Sequence, residues 1–339
     1  MKTTYTKLLA LFFIVVLTFT ITGCGNNSKK TESSNNENSA YTFKVSHVTQ
    51  KDHIWHKTAE KFGEELESLS NGRMKLEIYP ASQLGQEKDM VQQLETGSID
   101  FGFLTNAYMS TRQESLNAWF LPFTFKNLDE ANKARQSEAA REMLKELEDQ
   151  GLVGLDFIFV GNRHILLKDD HISSPHDLKG KKVRIIGSPI IQDFWKATGA
   201  GPTAMPLPEV YTSLQTGVID GIDIDLDALV TEKYYENAKQ LTLTNHMTFP
   251  AVIVMSKQSY SSLSKEDQHI VNEAIKTAVD WGVEEAIKRE EENLEKLKAA
   301  GVEVEELSDI SSFAAIKKEI QEKYQQQSPI IKSFIESLE

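Results

Sequence analysis

Arg184 is the side chain of this sequence best suited to hold an anion. It lies in the apolar stretch Lys182-Val183-Arg184-Ile185-Ile186, where strand alternation puts Val183 and Ile185 on one face and Arg184 on the other. A guanidinium stays charged and presents a planar set of donors that matches both oxygens of a carboxylate. The pattern therefore indicates an arginine able to bind a carboxylate, with a salt bridge at a solvent-facing sheet edge as the alternative.

A second group of chemically capable side chains consists of His47, Asp52, His53 and His56. His53 and His56 could share one face of a helix and, with Asp52 nearby, hold a metal ion. The sequence has no His-Glu-x-x-His string and no second cysteine, so we predict no metal site. It also lacks a Gly-x-Ser-x-Gly elbow, a glycine-rich phosphate loop and a dinucleotide fingerprint. These absences predict a protein that is not an enzyme and binds no cofactor.

The only cysteine, Cys24, follows a segment that predicts export from the cytoplasm. Two lysines and an apolar stretch (8–19) precede it, and the small residue Gly23 lies directly before it. This pattern is typical of a bacterial lipoprotein signal over residues 1–23, so we predict lipidation of Cys24 and anchoring at the extracytoplasmic face of the cell membrane. An ordinary signal peptide or a short membrane anchor is the alternative, but about a dozen apolar residues fall short of the ~20 that span a bilayer.

Composition predicts how the rest of the chain is organised. Residues 24–40 are almost entirely polar, which predicts a flexible tether. The ~300 residues that follow are more than a single core usually holds, so two lobes are expected. The formal net charge of −13 argues against nucleic acid as a partner.

Short apolar strands alternate with helical stretches along the chain, which predicts an α/β fold. One internal repeat supports two lobes of similar topology: Gln93-Leu94-Glu95-Thr96-Gly97-Ser98-Ile99-Asp100 shares its leucine, threonine, glycine, isoleucine and aspartate with Ser213-Leu214-Gln215-Thr216-Gly217-Val218-Ile219-Asp220. Each copy reads as a helix end, a glycine and a strand. We predict that the strand ends after both copies face a shared cleft. The alternative is that such junctions look alike in many proteins.

A long helix is predicted from Lys265 to Ala300, since no proline interrupts the helical pattern and Gly301 ends it. Ser264 and Asp267 form a capping pair at its start. A helix of this length exceeds one lobe. It either kinks near Gly282 or lies across both lobes, and a coiled-coil partner is the remaining alternative.

Several strings, in this order, resemble the solute-binding proteins of tripartite ATP-independent periplasmic (TRAP) transporters, of the dicarboxylate-binding type. They are DHIW at 52–55, YPASQLG at 79–85, LPF at 121–123, DLKGKKVR at 177–184, PTAM at 202–205, EVYTSLQTGVIDG at 209–221 and KYYE at 233–236. The resemblance implies two α/β lobes joined by hinge strands, with a long helix across both. We expect residues 41–160 and 250–289 in lobe one, and 161–249 and 290–339 in lobe two.

The resemblance also implies the function. Such a protein captures a small carboxylate-bearing solute and delivers it to the membrane subunits of a TRAP permease. We expect a monomer. Presentation of the ligand to a sensor kinase or chemoreceptor is one alternative, and a cell-surface hydrolase is another.

Site residues follow from the same resemblance. In the family, the arginine of the DLKGKKVR motif holds the ligand carboxylate, which implies this role for Arg184. Arg163 matches a second arginine that points into the cleft, with a structural ion pair as the alternative. His47 ends the first strand, where lobe-one contacts lie, and is predicted to line the cleft. Core or cleft-lining positions are predicted for three aromatic residues: Trp55, Trp119 and Tyr211. Tyr211 is counted among the ligand contacts.

The chain departs from the family pattern after Asp220-Gly221. The family usually has asparagine and proline where this chain has Ile224 and Asp225. We predict that Asp223 or Asp225 accepts hydrogen bonds from ligand hydroxyls and repels a second ligand charge. That favours a sugar acid, such as a uronate or an aldonate, over a C4-dicarboxylate. A solvated acidic loop at 223–227 is the alternative.

Overall fold

The chain forms two β-sheets in a computed structural model that describes residues 40–338. The strands are β1 (Tyr41–Ser46), β2 (Met74–Tyr79), β3 (Phe101–Thr105), β4 (Leu152–Asn162), β5 (His164–Leu167), β6 (Lys182–Ile185), β7 (Gly201–Ala204), β8 (Gly221–Ile224), β9 (Gln240–Leu243), β10 (Thr248–Ser256) and β11 (Glu303–Glu306). The first sheet has the strand order β2-β1-β3-β10-β4, and the second has the order β11-β9-β5-β8-β6-β7. We call the parts of the chain built on these sheets the first lobe and the second lobe.

Helices cover the sheets and complete the α/β class that the sequence predicts. They are α1 (Ile54–Leu69), α2 (Glu87–Glu95), α3 (Asn106–Met109), α4 (Leu128–Arg135), α5 (Glu138–Glu146), α6 (Pro189–Ala197), α7 (Val210–Thr216), α8 (Leu226–Thr231), α9 (Lys257–Ser262), α10 (Lys265–Ala299), α11 (Ala314–Gln327) and α12 (Pro329–Glu336). Strand β5 shows how the second sheet is buried on both faces. Its Ile165 and Leu167 belong to the large core that also fills the first lobe, whereas Leu166 belongs to a separate core.

The internal repeat of the sequence is a repeat of structure. Gly97 lies just after the end of α2 with φ 69°, and Gly217 lies just after the end of α7 with φ 74°. Both have the left-handed conformation that glycine adopts without strain. The aspartates of the two copies also act alike. Asp100 accepts a hydrogen bond from the backbone N–H of Lys44 at 2.8 Å, and Asp220 accepts one from the N–H of Lys182 at 2.7 Å. Each carboxylate therefore ties its junction to the neighbouring parallel strand of its own sheet.

Two chain segments that lie side by side connect the first sheet to the second. The chain passes from β4 to β5 through Arg163, and it returns from β9 to β10 through the segment that contains His246 and Met247. The two segments are hydrogen-bonded, since the N–H of Arg163 donates to the carbonyl of Met247 at 2.6 Å and the N–H of His246 donates to the carbonyl of Arg163 at 3.2 Å. These paired segments are the hinge strands of the fold.

Helix α10 lies across both lobes. Its 35 residues correspond to about 52 Å, and the hydroxyl of Ser264 caps its start by accepting from the N–H of Asp267. Gly282 lies within this unbroken helical segment. It allows close packing on the first lobe, because a Cβ atom there would clash with Oγ1 of Thr58 in α1 and lie 2.8 Å from Cδ1 of Ile158. Near its other end, Leu297 packs into the core of the second lobe.

The C-terminal helix differs from the expected lobe assignment. Residues 290–339 are predicted in the second lobe, but α12 packs against α5 of the first lobe, where the ring of Phe334 lies 4.8 Å from that of Trp119. Its apolar face completes the aromatic core on that side. Among residues 40–338, no helix is both long and apolar enough to cross a membrane. The signal at 1–23, Cys24 and nearly all of the tether lie outside the described residues.

Candidate ligand-binding site

A cavity of about 320 Å³ lies between the two lobes. The first lobe contributes side chains near the ends of β1, β3 and β4 and the starts of α1 and α2, including Val48, Trp55, Glu87, Thr105, Tyr108 and Val160. The second lobe contributes residues at or after the ends of β6, β7 and β8, including Ile186, Gly187, Met205, Leu207, Ile224 and Asp225. The cavity thus lies at the carboxyl ends of β3 and β8, the strands that follow the two repeated junctions. This is where open α/β sheets bind ligands.

Arg184 lines this cavity from the second lobe. Val183 and Ile185 pack into the core and Arg184 takes the opposite face of β6, as strand alternation predicts. The side chain is 1% exposed, and its Nε donates to the carbonyl of Met205 at 3.0 Å. Its Nη1 has no hydrogen-bond acceptor among residues 40–338. Burial lowers the pKa of Arg184 to about 10, so the guanidinium remains charged at neutral pH.

Arg163 also lines the cavity, but its donors are used within the protein. Its Nε donates to Asp223 at 2.6 Å, its Nη1 donates to Asp225 at 3.0 Å, and its Nη2 donates to the carbonyl of Asp223. Its guanidinium lies over the ring of Phe249, 4.3 Å from the centroid. This is the structural ion pair that the sequence leaves open as the alternative for Arg163.

Asp223 and Asp225 are buried, so the alternative of a solvated acidic loop is wrong. Burial opposes ionisation of Asp223, but the charge of Arg163 outweighs it and holds the pKa of that carboxyl below its ordinary range. The second oxygen of Asp223 accepts from the indole N–H of Trp195 at 2.8 Å. Asp225 lines the cavity, but its oxygens accept from Arg163 and from the N–H of Ala228 at the start of α8. These carboxylates are therefore engaged within the protein rather than free for ligand hydroxyls.

Glu87, at the start of α2, is the carboxyl group that sequence reasoning missed. It lines the cavity from the first lobe and accepts hydrogen bonds from the N–H of Thr105 at 2.6 Å and from its hydroxyl at 3.0 Å. Burial raises the pKa of Glu87 to about 7, even though both Thr105 donors and the charge of Arg184 favour the ionised form. An acidic residue in the first turn of a helix is a common stabilising feature. The sequence pattern at Glu87 therefore gave no signal of a site.

Two predicted contacts lie away from the cavity. His47 is fully buried in the first lobe, where its two ring nitrogens pair with His56 and with the hydroxyl of Thr49, each at 3.0 Å. Burial lowers the pKa of His47 to about 3, so it is a neutral core residue and not a wall of the cleft. Tyr211 lies on the outer surface of α7 and donates its hydroxyl hydrogen bond to Glu236 at 2.5 Å. The predictions for these two residues are not supported by the geometry.

An aromatic pair forms one wall of the cavity. Trp55 and Phe249 stack with ring centroids 6.1 Å apart and an interplanar angle of 13°. At the position where the expected pattern has asparagine, Ile224 lines the cavity instead of an amide. The walls are thus largely apolar, with the guanidinium of Arg184 from one lobe and the carboxyl group of Glu87 from the other.

The lobes also contact each other outside the cavity through Asp227, which is 2% exposed. One of its oxygens accepts from the N–H of Ile54 at the start of α1, at 2.8 Å. The other accepts from Nε of Arg289 and from the amide of Asn293, both at 2.8 Å. Asp227 therefore links α8, α1 of the first lobe and the long helix α10.

Comparison with known proteins agrees with this geometry. Residues 45–329 match the model of a family described as bacterial extracellular solute-binding protein, family 7. The C4-dicarboxylate-binding periplasmic protein of Rhodobacter capsulatus is 31% identical over 260 residues, which cover 76% of this chain and 78% of that protein.

Two solved structures share the fold. A TRAP periplasmic solute-binding protein from Bradyrhizobium sp. BTAi1, in complex with D-galacturonate, has a TM-score of 0.84 and 29% identity over 88% of this chain and 99% of that one. The sugar acid binding protein from Advenella mimigardefordensis, in complex with galactonate, has a TM-score of 0.83 and 25% identity over 88% and 98% of the two chains. The match confirms two lobes with a long helix across them.

Proposed function

Because this chain belongs to family 7 of the bacterial extracellular solute-binding proteins, we propose that it captures a sugar acid with a single carboxylate and delivers it to a TRAP permease. The resemblance to TRAP solute-binding proteins found in the sequence is confirmed at the level of the family. The family binds and transports solutes and is not a family of enzymes. A uronate or an aldonate is the ligand we favour.

The observation that carries this proposal is the unpaired Nη1 of Arg184. A buried N–H without an acceptor is costly, and for a charged group the cost is greater than for a neutral one. A ligand carboxylate would supply the acceptor and neutralise the charge in a single step. Arg163 cannot take this role as it stands, since Asp223 and Asp225 already neutralise it.

Glu87 supports a ligand with one carboxylate rather than two. Its carboxyl group lines the same cavity from the opposite lobe and can accept hydrogen bonds from ligand hydroxyls. Its ionised form, which dominates above about pH 7, would also repel a second ligand charge. The role that sequence reasoning gave to Asp223 or Asp225 thus passes to Glu87. The galacturonate and galactonate bound by the two structural neighbours are ligands of this class.

Isothermal titration calorimetry of the mature protein tests this function. We expect D-galacturonate or D-galactonate to bind more tightly than succinate or malate. D-galactose, which has the hydroxyls but no carboxylate, is the matched control and should not bind. Tighter binding of succinate than of any sugar acid would contradict the ligand class, and binding of galactose would contradict the role of Arg184.

Anchoring belongs to the same proposal. Lipidation of Cys24 would hold the protein at the extracytoplasmic membrane face through the polar tether, close to the permease. Cys24→Ala should move the protein from the membrane fraction to the soluble fraction without changing its affinity for ligand. A variant that still sediments with membranes would contradict lipidation at this cysteine. Uptake of radiolabelled ligand by vesicles that contain the permease subunits, only when the binding protein is added, tests delivery.

A further inference from the structure

Trp55 combines two features that the proposed function does not yet use. It lines the cavity from the first lobe at the start of α1, and its side chain is almost fully buried. Its indole Nε1 has no hydrogen-bond acceptor among the described residues. An indole N–H can only donate. Because Trp55 lines the cavity, a ligand that brings an acceptor oxygen against this edge of the ring would satisfy it.

The surroundings hold the Trp55 ring in one orientation. One face stacks with Phe249, and the ring of His53 lies edge-on, with its centroid 5.2 Å away and an interplanar angle of 74°. The backbone N–H of Trp55 donates to Nδ1 of His53 at 3.1 Å, which fixes the first turn of α1. A large flat side chain with a polar edge suits a ligand that has both apolar and hydroxylated surface.

The other buried tryptophans of residues 40–338 lack this combination. The indole N–H of Trp195 donates to Asp223. Nε1 of Trp119 has no acceptor either, but its ring lies among phenylalanines of the first-lobe core and does not line the cavity. Trp119 therefore offers a matched comparison, an equally unsatisfied indole that no ligand can reach.

We propose that Trp55 is a specificity-determining residue of the ligand site, which packs its ring against a sugar acid and donates its indole N–H to a ligand oxygen. This inference rests on the proposed function. It places ligand contacts on both lobes, with Arg184 holding the carboxylate from the second lobe and Trp55 holding the hydroxylated end from the first. A hydrogen bond from indole rewards a ligand that carries an acceptor at that end and disfavours one that ends in an alkyl group.

The test compares Trp55→Phe with Trp119→Phe. Phenylalanine keeps an aromatic ring and deletes the N–H in both variants. We expect calorimetry with D-galacturonate to show a dissociation constant roughly three- to tenfold larger for Trp55→Phe, because the variant loses one hydrogen bond to the ligand. Trp119→Phe should stay within twofold of the unsubstituted protein, even if both variants melt at a lower temperature. Equal affinity of Trp55→Phe and the unsubstituted protein would overturn the inference while leaving the proposed function intact.

A second measurement uses the unsubstituted protein and needs no folded variant at position 55. With ¹⁵N-labelled tryptophan, the indole N–H signal of Trp55 should shift downfield when D-galacturonate is added, whereas that of Trp119 should not. The Trp55 signal is identified by its loss in Trp55→Phe or by elimination with substitutions of the other tryptophans. A Trp55 signal that does not move on saturation with ligand would overturn the inference. Failure of the unsubstituted protein to bind any sugar acid would overturn the proposed function and this inference with it.

Discussion

Replacing Arg184 by methionine should abolish ligand capture and at the same time stabilise the ligand-free protein. Burial lowers the pKa of Arg184 from 12.5 to about 10, which corresponds to a penalty of about 3 kcal/mol on the charged form. Methionine keeps an unbranched apolar stem and removes the charged guanidinium. Allowing for the lost hydrogen bond to Met205, we expect a gain of about 1–3 kcal/mol in the free energy of unfolding, a rise of a few degrees in melting temperature.

Binding should change in the opposite direction. Removing one partner of a desolvated charge pair costs about 2–5 kcal/mol, which is a loss of roughly 30- to 5000-fold in affinity. Arg184→Lys restores the charge without the planar fork of donors, so we expect only partial recovery. Calorimetry with D-galacturonate gives the affinities, and scanning calorimetry without ligand gives the melting temperatures.

Arg135 provides the control, because it is also buried but is paired with Asp156 and Asp280. Arg135→Met should lower the melting temperature and leave the affinity of folded protein unchanged. The reasoning is refuted if Arg184→Met binds galacturonate within tenfold of the unsubstituted protein. It is also refuted if that variant loses stability as Arg135→Met does, since Arg184 would then be a structural residue.

Three further predictions concern Glu87, Asp227 and Gly282. The pKa of Glu87 rises from 4.5 to about 7 on folding. Its contribution to the free energy of unfolding is therefore fully present below about pH 4.5 and is lost as the pH rises through 7. Glu87→Gln should therefore raise the free energy of unfolding by about 3 kcal/mol at pH 8 and hardly at pH 4; an equal gain at both pH values in thermal melts would contradict this. Asp227→Asn should lower the free energy of unfolding in urea by roughly 2–4 kcal/mol, because Arg289 loses its charged partner. The control Glu292→Gln, which breaks a surface pair with Lys296, should lower it by under about 1 kcal/mol. Similar losses in both variants would argue against the linking role of Asp227. Gly282→Ala should lower the free energy of unfolding by roughly 1 kcal/mol, contrary to the usual gain in a helix, because the new Cβ meets Thr58 and Ile158. Gly201→Ala in strand β7, whose new Cβ lies 3.7 Å from its nearest neighbour, shows the effect of the substitution without a clash. A stabilised Gly282→Ala would contradict the packing.

The sequence predicts the fold well wherever local patterns decide it. Helix α10 spans Lys265–Ala299, within one residue of the predicted Lys265 to Ala300, because the Ser264 cap and Gly301 define its two ends. The edge strand Glu303–Glu306 has no such local pattern. Its acidic sequence has little strand propensity, and it forms only because Gln240–Leu243 offers a parallel partner more than sixty residues away. Such pairing depends on tertiary context that a local pattern does not contain.

The site was predicted in part for the same reason. Alternation along β6 identifies Arg184, because the core holds its two neighbours on the other face. The partners of a charge are harder to predict. Asp223 looked free in the sequence, but folding brings it to Arg163, 60 residues away. Glu87 looked like an ordinary helix start until the two lobes placed it in the cavity. The sequence thus identifies groups able to bind a ligand, and only the fold determines which of them remain unpaired.

Unpaired charge also gives a physical reason for capture to be coupled to closure. In this arrangement of the lobes Arg184 is shielded from water but lacks an acceptor for Nη1, so bringing the lobes together without ligand costs desolvation energy. The contacts of Asp227 with Ile54 and Arg289 favour the same arrangement and offset part of that cost. A ligand shifts such an equilibrium only through its greater affinity for one state. A ligand whose carboxylate binds Arg184 and whose other end contacts the first lobe would favour the closed state. It offsets the desolvation of Arg184 only when both lobes surround it.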